Sequence, residues 1–401
     1  MLSHLSSQVL LASTVVGASM PHGIHLTPRR AYHHPRDSPH YPSPSHPSSQ
    51  HTDKSKSVTG PLQNLFQGTD LQWFGNIGFG TPPQTFGVVF DTGSFDIEIP
   101  GIMCALPCNN QRQFDYTTSS TFVDLKETAT IHFETAGGVQ PGNTESIDVL
   151  KVADTMMLIG IPVPHTEFYL ITNQTAGFIP NPYDGIVGLG YEPNSSIYTA
   201  LRKKGLPALF SLYLTPRHVG KAEITLGGID AKKLHGSEPH WAPILNPKNK
   251  RNSWSLSPAK MSVNGRALKE DLYTSQPMVF DSGTSNIVMS QKLTKAMYAM
   301  ISPYIQPIGP LGAFGMPCAE IPSLSAEITF TFHTTVGKPF NLTIPSKELS
   351  VGPFVDNPSL CQTLINSMDI EGGIIGGSLL KYYYSVWDVD HARIGFKHNG
   401  F

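Results

Sequence analysis

From about residue 65 onward the hydrophobic positions fall in short β-type runs separated by Gly, Pro and Asn. Leu71-Gln72-Trp73-Phe74-Gly75-Asn76-Ile77-Gly78-Phe79 alternates as a strand does and leads into the turn Gly80-Thr81-Pro82-Pro83. A second strand is predicted over Thr85 to Phe90. Further runs over Thr128 to Phe133, Ala222 to Leu226 and Ala326 to Phe332 repeat the pattern. Helical periodicity is sparse. One helix is predicted after Ser195, stopping at Lys203-Lys204-Gly205-Leu206-Pro207, and another over Ser290 to Met300. Many short strands with few helices predict a mostly β protein.

Two of these runs end alike. Val88-Val89-Phe90-Asp91-Thr92-Gly93-Ser94 and Met278-Val279-Phe280-Asp281-Ser282-Gly283-Thr284 each deliver a carboxylate onto a tight turn of small, hydroxyl-bearing residues. From average residue usage, one such turn arises by chance in about a few per cent of chains this long, and two in about one in a thousand. Asp91 is followed 97 residues later by Gly188 in Asp184-Gly185-Ile186-Val187-Gly188-Leu189-Gly190. Asp281 is followed 95 residues later by Gly376 in Gly373-Ile374-Ile375-Gly376-Gly377. A repeated unit of this kind implies two similar lobes about a pseudo-twofold axis, with Asp91 and Asp281 opposite each other where a cleft forms. Two carboxylates brought face to face share one proton.

Composition narrows the setting. Charged residues make up only 14% of the 401, which excludes a nucleic-acid binder and a disordered body. Residues 19–60 hold five basic residues against two acidic ones, so the formal charge of −2 divides into +3 there and −5 over residues 61–401. The basic segment reads either as an electrostatic partner for the acidic body or as a plain solvated leader. Residues 20–60 are rich in Pro, His and Ser and bury too little apolar surface to fold alone. The tract reads as a pH-responsive pro-segment, a metal-binding tract or a spacer, and Arg29-Arg30 as a dibasic processing site.

Val9 to Ala18 has the texture of a targeting signal, with small residues before Ser19, although His4 stands where a basic residue is expected. Asn173, Asn194 and Asn341 each open a glycosylation acceptor triplet. Cys104 with Cys108, and Cys318 with Cys361, put one pair in each half, as two disulfides in an oxidising compartment would. A metal site is a poor reading of these cysteines, because no His lies near Cys104 or Cys108 and the pairs fall in different halves. No run is long and apolar enough for a bilayer. A soluble, secreted protein is therefore expected, with an acidic vacuole as the alternative.

Several further runs accompany the acidic turns: Tyr183 to Gly190, Leu209-Phe210-Ser211-Leu212-Tyr213-Leu214, Leu226-Gly227-Gly228-Ile229-Asp230 and Tyr383-Tyr384-Ser385-Val386-Trp387-Asp388. With them the chain resembles the pepsin-family aspartic endopeptidases from about Trp73 to Phe396, secreted fungal members in particular. The resemblance implies the bilobal pepsin-like fold. The expected divisions are a signal peptide over 1–18, a disordered Pro/His/Ser-rich pro-segment over 19–65, an N-terminal lobe over 66–250 and a C-terminal lobe over 251–401. It also implies a monomeric endopeptidase made as a zymogen, acting on protein or peptide substrates, with neither cofactor nor metal.

Asp91 and Asp281 would activate a water. Gly93 and Gly283 would permit the turns, Ser94 and Thr284 would support the carboxylates, and Thr92 and Ser282 would stabilise the turns. Phe133, Glu134 and Thr135 would form the substrate flap, and the cysteine pairs fall where the family has disulfides. Three positions depart from the family pattern. Glu98 stands where a Trp is usual, Phe133 where the flap has Tyr, and Gly377 where Asp is common. The Tyr–Trp hydrogen bond of the family is therefore impossible here, and Glu98 reads either as a change at the flap or as a solvated strand residue. An active enzyme is favoured by the two intact acidic turns. A catalytically dead binding or inhibitor module is the alternative, and a retroviral-type homodimer is disfavoured because both turns lie in one chain.

Overall fold

A computed structural model describes residues 13–14, 57–64 and 72–400, apart from 137–139, 180, 217, 250, 275, 310–311 and 355–356. The remainder of the expected signal peptide and the Pro/His/Ser tract up to residue 56 lie outside the described residues, as do the side chains of Glu134 and Thr135 in the expected flap.

The N-terminal part of the chain builds a sheet in which strands follow in the spatial order Val123–Ala136, Gln140–Leu158, Phe74–Phe79, Gln84–Asp91, Gly185–Gly188, Ile97–Pro100 and Ile161–Gln174. The Gln140–Leu158 strand also pairs with Ile161–Gln174, so the sheet folds back on itself. Its centre is covered on both faces. Val88 and Phe90 enter the main core, while Val89 packs with Phe74 and Tyr183 on the other side. This is why Val88-Val89-Phe90 is a continuous apolar run and not an alternating one.

The matched spacing has a direct structural cause. Gly185–Gly188 runs parallel to Gln84–Asp91, with Asp91 opposite Gly188, and antiparallel to Ile97–Pro100 on its other edge. In the second half Gly373–Ile375 lies parallel to Met278–Phe280 and antiparallel to Ile287–Ser290. Each late strand is thus clamped between the strand that delivers an acidic turn and the strand that leaves it. The close passage requires glycine: a Cβ on Gly188 would stand 2.4 Å from the backbone carbon of Phe95.

A six-stranded sheet joins the halves in the order His240–Pro243, Arg393–His398, Tyr383–Asp388, Leu209–Tyr213, Glu223–Leu226 and Val58–Pro61. Beneath it Phe210 stacks on Trp387 at 5.7 Å, and Trp254 meets Trp387 edge-on at 5.4 Å. Val58–Pro61 corrects one expectation. The end of the segment read as disordered is an edge strand, because the exposed edge of Glu223–Leu226 satisfies its backbone groups. Helices Ser196–Lys203 and Gln291–Ile301 begin where predicted, with Ser195 and Ser290 as N-caps. Among the described residues no helix is long and apolar enough to cross a membrane.

Candidate active site

Asp91 and Asp281 are both fully buried. Each turn holds its own carboxylate: the Gly93 N–H donates to Asp91 Oδ1 and the Gly283 N–H to Asp281 Oδ1, both at 2.8 Å. The two turns press together. A Cβ on Gly93 would stand 2.4 Å from the Asp281 carboxyl carbon, so only glycine admits this approach. Burial first, then the charge of Asp281 and the hydrogen bond between the carboxyls, hold Asp91 well above the usual carboxylate range. The Thr284 hydroxyl donates to Asp281 Oδ2 at 2.7 Å. Ser94 lies beside Asp91 and favours its charged form, although its hydroxyl stands outside good hydrogen-bond geometry.

Thr92 and Ser282 do more than stabilise their own turns. The Thr92 hydroxyl donates to the Phe280 carbonyl at 3.0 Å and accepts from the Ser282 N–H at 2.9 Å. The Ser282 hydroxyl donates to the Phe90 carbonyl at 2.6 Å and accepts from the Thr92 N–H at 3.1 Å. Four reciprocal bonds thereby lock the two acidic turns across the pseudo-twofold axis. Gln72, which no motif singled out, adds a further cross-link by donating to the Gly283 carbonyl at 2.7 Å. Its only sequence signal is a polar residue beside Trp73 in an apolar strand.

The flap expectation is altered in detail. The hairpin exists, as Val123–Ala136 against Gln140–Leu158. Phe133 lies inside it and does not present a free ring to the cleft: it is buried, and its ring meets Phe178 edge-on at 5.2 Å. Glu98 is not a solvated strand residue. It is 3% exposed, because its sheet is covered on both faces. Burial, followed by the nearby Asp96 charge, pushes its carboxyl up to about 8. A carboxyl that binds its proton more tightly when folded contributes stability at low pH, lost as pH rises from the unfolded value through about 8. The melting temperature is expected to fall between pH 5 and pH 8, and Glu98→Gln to reduce that fall by several degrees in calorimetry. Gly377, the third departure, opens the short helix Gly377–Leu380 and is buried.

The remaining expected residues are dispersed. Cys104 is bonded to Cys108 and Cys318 to Cys361. Asn173, Asn194 and Asn341 are all exposed. Arg251, which sequence reasoning passed over, bonds Asp96 at 2.5 Å and lies 4.8 Å over the Phe95 ring, bracing the segment that follows the first acidic turn.

Two lobes built on a repeated strand plan, meeting through paired Asp-[Thr/Ser]-Gly turns, define the class of two-lobed aspartic proteases. Residues 72–399 match the family model described as "Eukaryotic aspartyl protease", and the chain belongs to that family. It is 28% identical to pepsin A of Suncus murinus, over 84% of this chain and 82% of that one. It is 30% identical to chymosin of Camelus dromedarius, over 87% and 85% of the two chains. Cathepsin E of Cavia porcellus is 25% identical, over 86% and 85%. The mostly β fold and the aspartic-type endopeptidase class expected from the sequence are borne out.

Proposed function

We propose that the chain is made as a secreted zymogen and hydrolyses peptide bonds at acidic pH through a water held between Asp91 and Asp281. The observation that carries this reading is the hydrogen-bonded, buried pair of carboxyls, each fixed by its own glycine N–H. With one proton on the pair, the charged carboxylate takes a proton from the water as its oxygen attacks the peptide carbonyl carbon. The neutral carboxyl donates its proton to the carbonyl oxygen, which stabilises the tetrahedral centre. The C–N bond then breaks as a proton passes to the leaving nitrogen, and the pair again holds one proton. The apparent pKa values belong to the pair, so no proton is assigned to one residue.

The exposed acceptor asparagines and the two disulfides support an oxidising, extracytosolic setting. The monomeric state, the pro-segment boundary and the fungal affinity belong to the same proposal. A binding module without activity is the second reading, favoured by the burial of Phe133 in the hairpin and of Glu98 in the strand Ile97–Pro100. The test is to secrete the protein, sequence the N-terminus of the released form and incubate it with a denatured protein across acid to neutral pH. Cleavage at acid pH is expected. Intact substrate at every pH, with the pro-segment removed, supports the binding module instead.

A further inference from the structure

Glu98 lines a small cavity between the strands that carry the first acidic turn and the hairpin Val123–Ala136/Gln140–Leu158. The walls include Phe133, Ile147, Phe178 and Ile186, with the amide of Asn181 at one side. The cavity measures about 20 Å³, room for one water as the hairpin now lies. Glu98 Oε2 and Asn181 Nδ2 are both buried there with no hydrogen-bond partner in the protein. Leaving a buried carboxyl oxygen unpaired is costly, so such a group marks a place for a ligand that completes it.

The register places this cavity beside the reaction centre. Glu98 pairs with Ile186, and Ile186 pairs with Val89, two residues before Asp91. Two strand spacings across and two residues along put the Glu98 backbone about 12 Å from that of Asp91. A substrate strand lying between the hairpin and the dyad would pass over this pocket within about one residue of the bond being cut.

The surrounding ionisable groups are already engaged. Asp96 is paired with Arg251, Asp184 accepts from the Gly87 and Arg112 N–H groups, and Glu145 accepts from the Thr175 hydroxyl. Lys151, on the hairpin, is paired with Glu167. Tyr169 pairs with Glu98 across the strands and Tyr183 lines the pocket, and neither is a cation; the Arg112 guanidinium acts on Asp184 and donates to the Thr85 carbonyl at 3.2 Å. Among the described residues Glu98 has no ion-pair partner. The pocket thus combines aliphatic and aromatic walls with the amides of Gln111, Gln174 and Asn181, the engaged Asp184 and the uncommitted acid of Glu98. That pattern complements a long apolar stem carrying a terminal cation.

We propose that Glu98 is a specificity-determining residue, giving the pocket beneath the flap a preference for a substrate lysine or arginine whose cation reaches its carboxylate when the hairpin lifts. This inference rests on the endopeptidase reading and names the substrate class. Bringing the cation in favours the ionised carboxylate, so the preference grows as pH rises from 4 to 6.

The test uses fluorogenic peptides scanned with lysine or norleucine at each of the three positions on either side of the cut, with the mature enzyme and its Glu98→Gln and Glu98→Leu variants. Norleucine has the lysine stem without the cation. One position is expected at which lysine raises kcat/KM over norleucine, with that ratio about tenfold lower in both variants. A lysine-to-norleucine ratio that is the same in enzyme and variants at every position overturns the proposal. The same peptides with a reduced, uncleavable bond are titrated calorimetrically to separate the pocket from the chemistry. Tighter binding of the lysine form, lost in Glu98→Gln, upholds the pocket even if no peptide is cut and the endopeptidase reading fails. Equal binding, or no binding, of the two forms overturns it.

Discussion

Asp91→Asn is expected to lower peptidase activity by about a thousandfold or more while the protein keeps its fold. The substituted side chain occupies the same volume and still accepts the Gly93 N–H that Asp91 accepts at 2.8 Å. It can neither take the proton of the attacking water nor share one with Asp281. General acid–base catalysis contributes typically 10²–10⁴-fold, and the loss here touches both halves of the proton transfer. Because burial, before any other cause, holds Asp91 above the carboxylate range, removing its charge relieves a desolvated group. The melting temperature near neutral pH should therefore stay level or rise. Matched circular dichroism and melting curves with retained activity would remove Asp91 from the chemistry.

The second large effect is expected from the clamp. In Thr92→Val with Ser282→Ala, all four reciprocal bonds between the turns disappear together. The groups left behind are two backbone N–H groups and two carbonyls in a site where Thr92 is 1% and Ser282 3% exposed. Each unpaired buried group costs about 1–3 kcal/mol, so the pair should lose about 4 kcal/mol or more. That is a large share of the stability of an ordinary domain. Denaturant unfolding is the readout, and each single variant should lose less than the double. A double variant within about 0.5 kcal/mol of the parent would show that the turns are held by packing and not by these hydroxyls.

The clamp shows why part of the site was legible in the sequence and part was not. Asp91 and Asp281 stand at the ends of apolar strands in copied turns, and their spacing to Gly188 and Gly376 reflects one local plan used twice. Such features survive in a linear reading because the causes are local. The role of Thr92 and Ser282 arises only when the two turns meet, about 190 residues apart in sequence, and nothing in either turn announces it. Gln72 was missed for the same reason, since its partner is the Gly283 carbonyl in the other half of the chain.

Glu98 misled in a different way. In Ile97-Glu98-Ile99 the alternation marks position 98 as outward-facing, and in a sheet with one solvated face it would be. Here the hairpin Val123–Ala136/Gln140–Leu158 covers that face, so the polar position is buried with the rest. Phe133 follows from the same packing: its ring fills space against Phe178 that the hairpin closes over. The strand after Thr85 and the two capped helices were legible because turn chemistry and capping residues mark their ends directly. Val58–Pro61 was not, because a short edge strand needs a neighbouring edge that composition does not reveal.

On the proposed mechanism Asp91 and Asp281 act as one unit holding one proton. The pH dependence of kcat/KM for the mature protein on a single uncharged peptide tests it most directly. A bell with its maximum at acidic pH is expected, the lower limb marking protonation of both carboxyls and the upper limb loss of the shared proton. A rate that climbs through neutral pH without an upper limb, or one unchanged in Asp281→Asn, would contradict it.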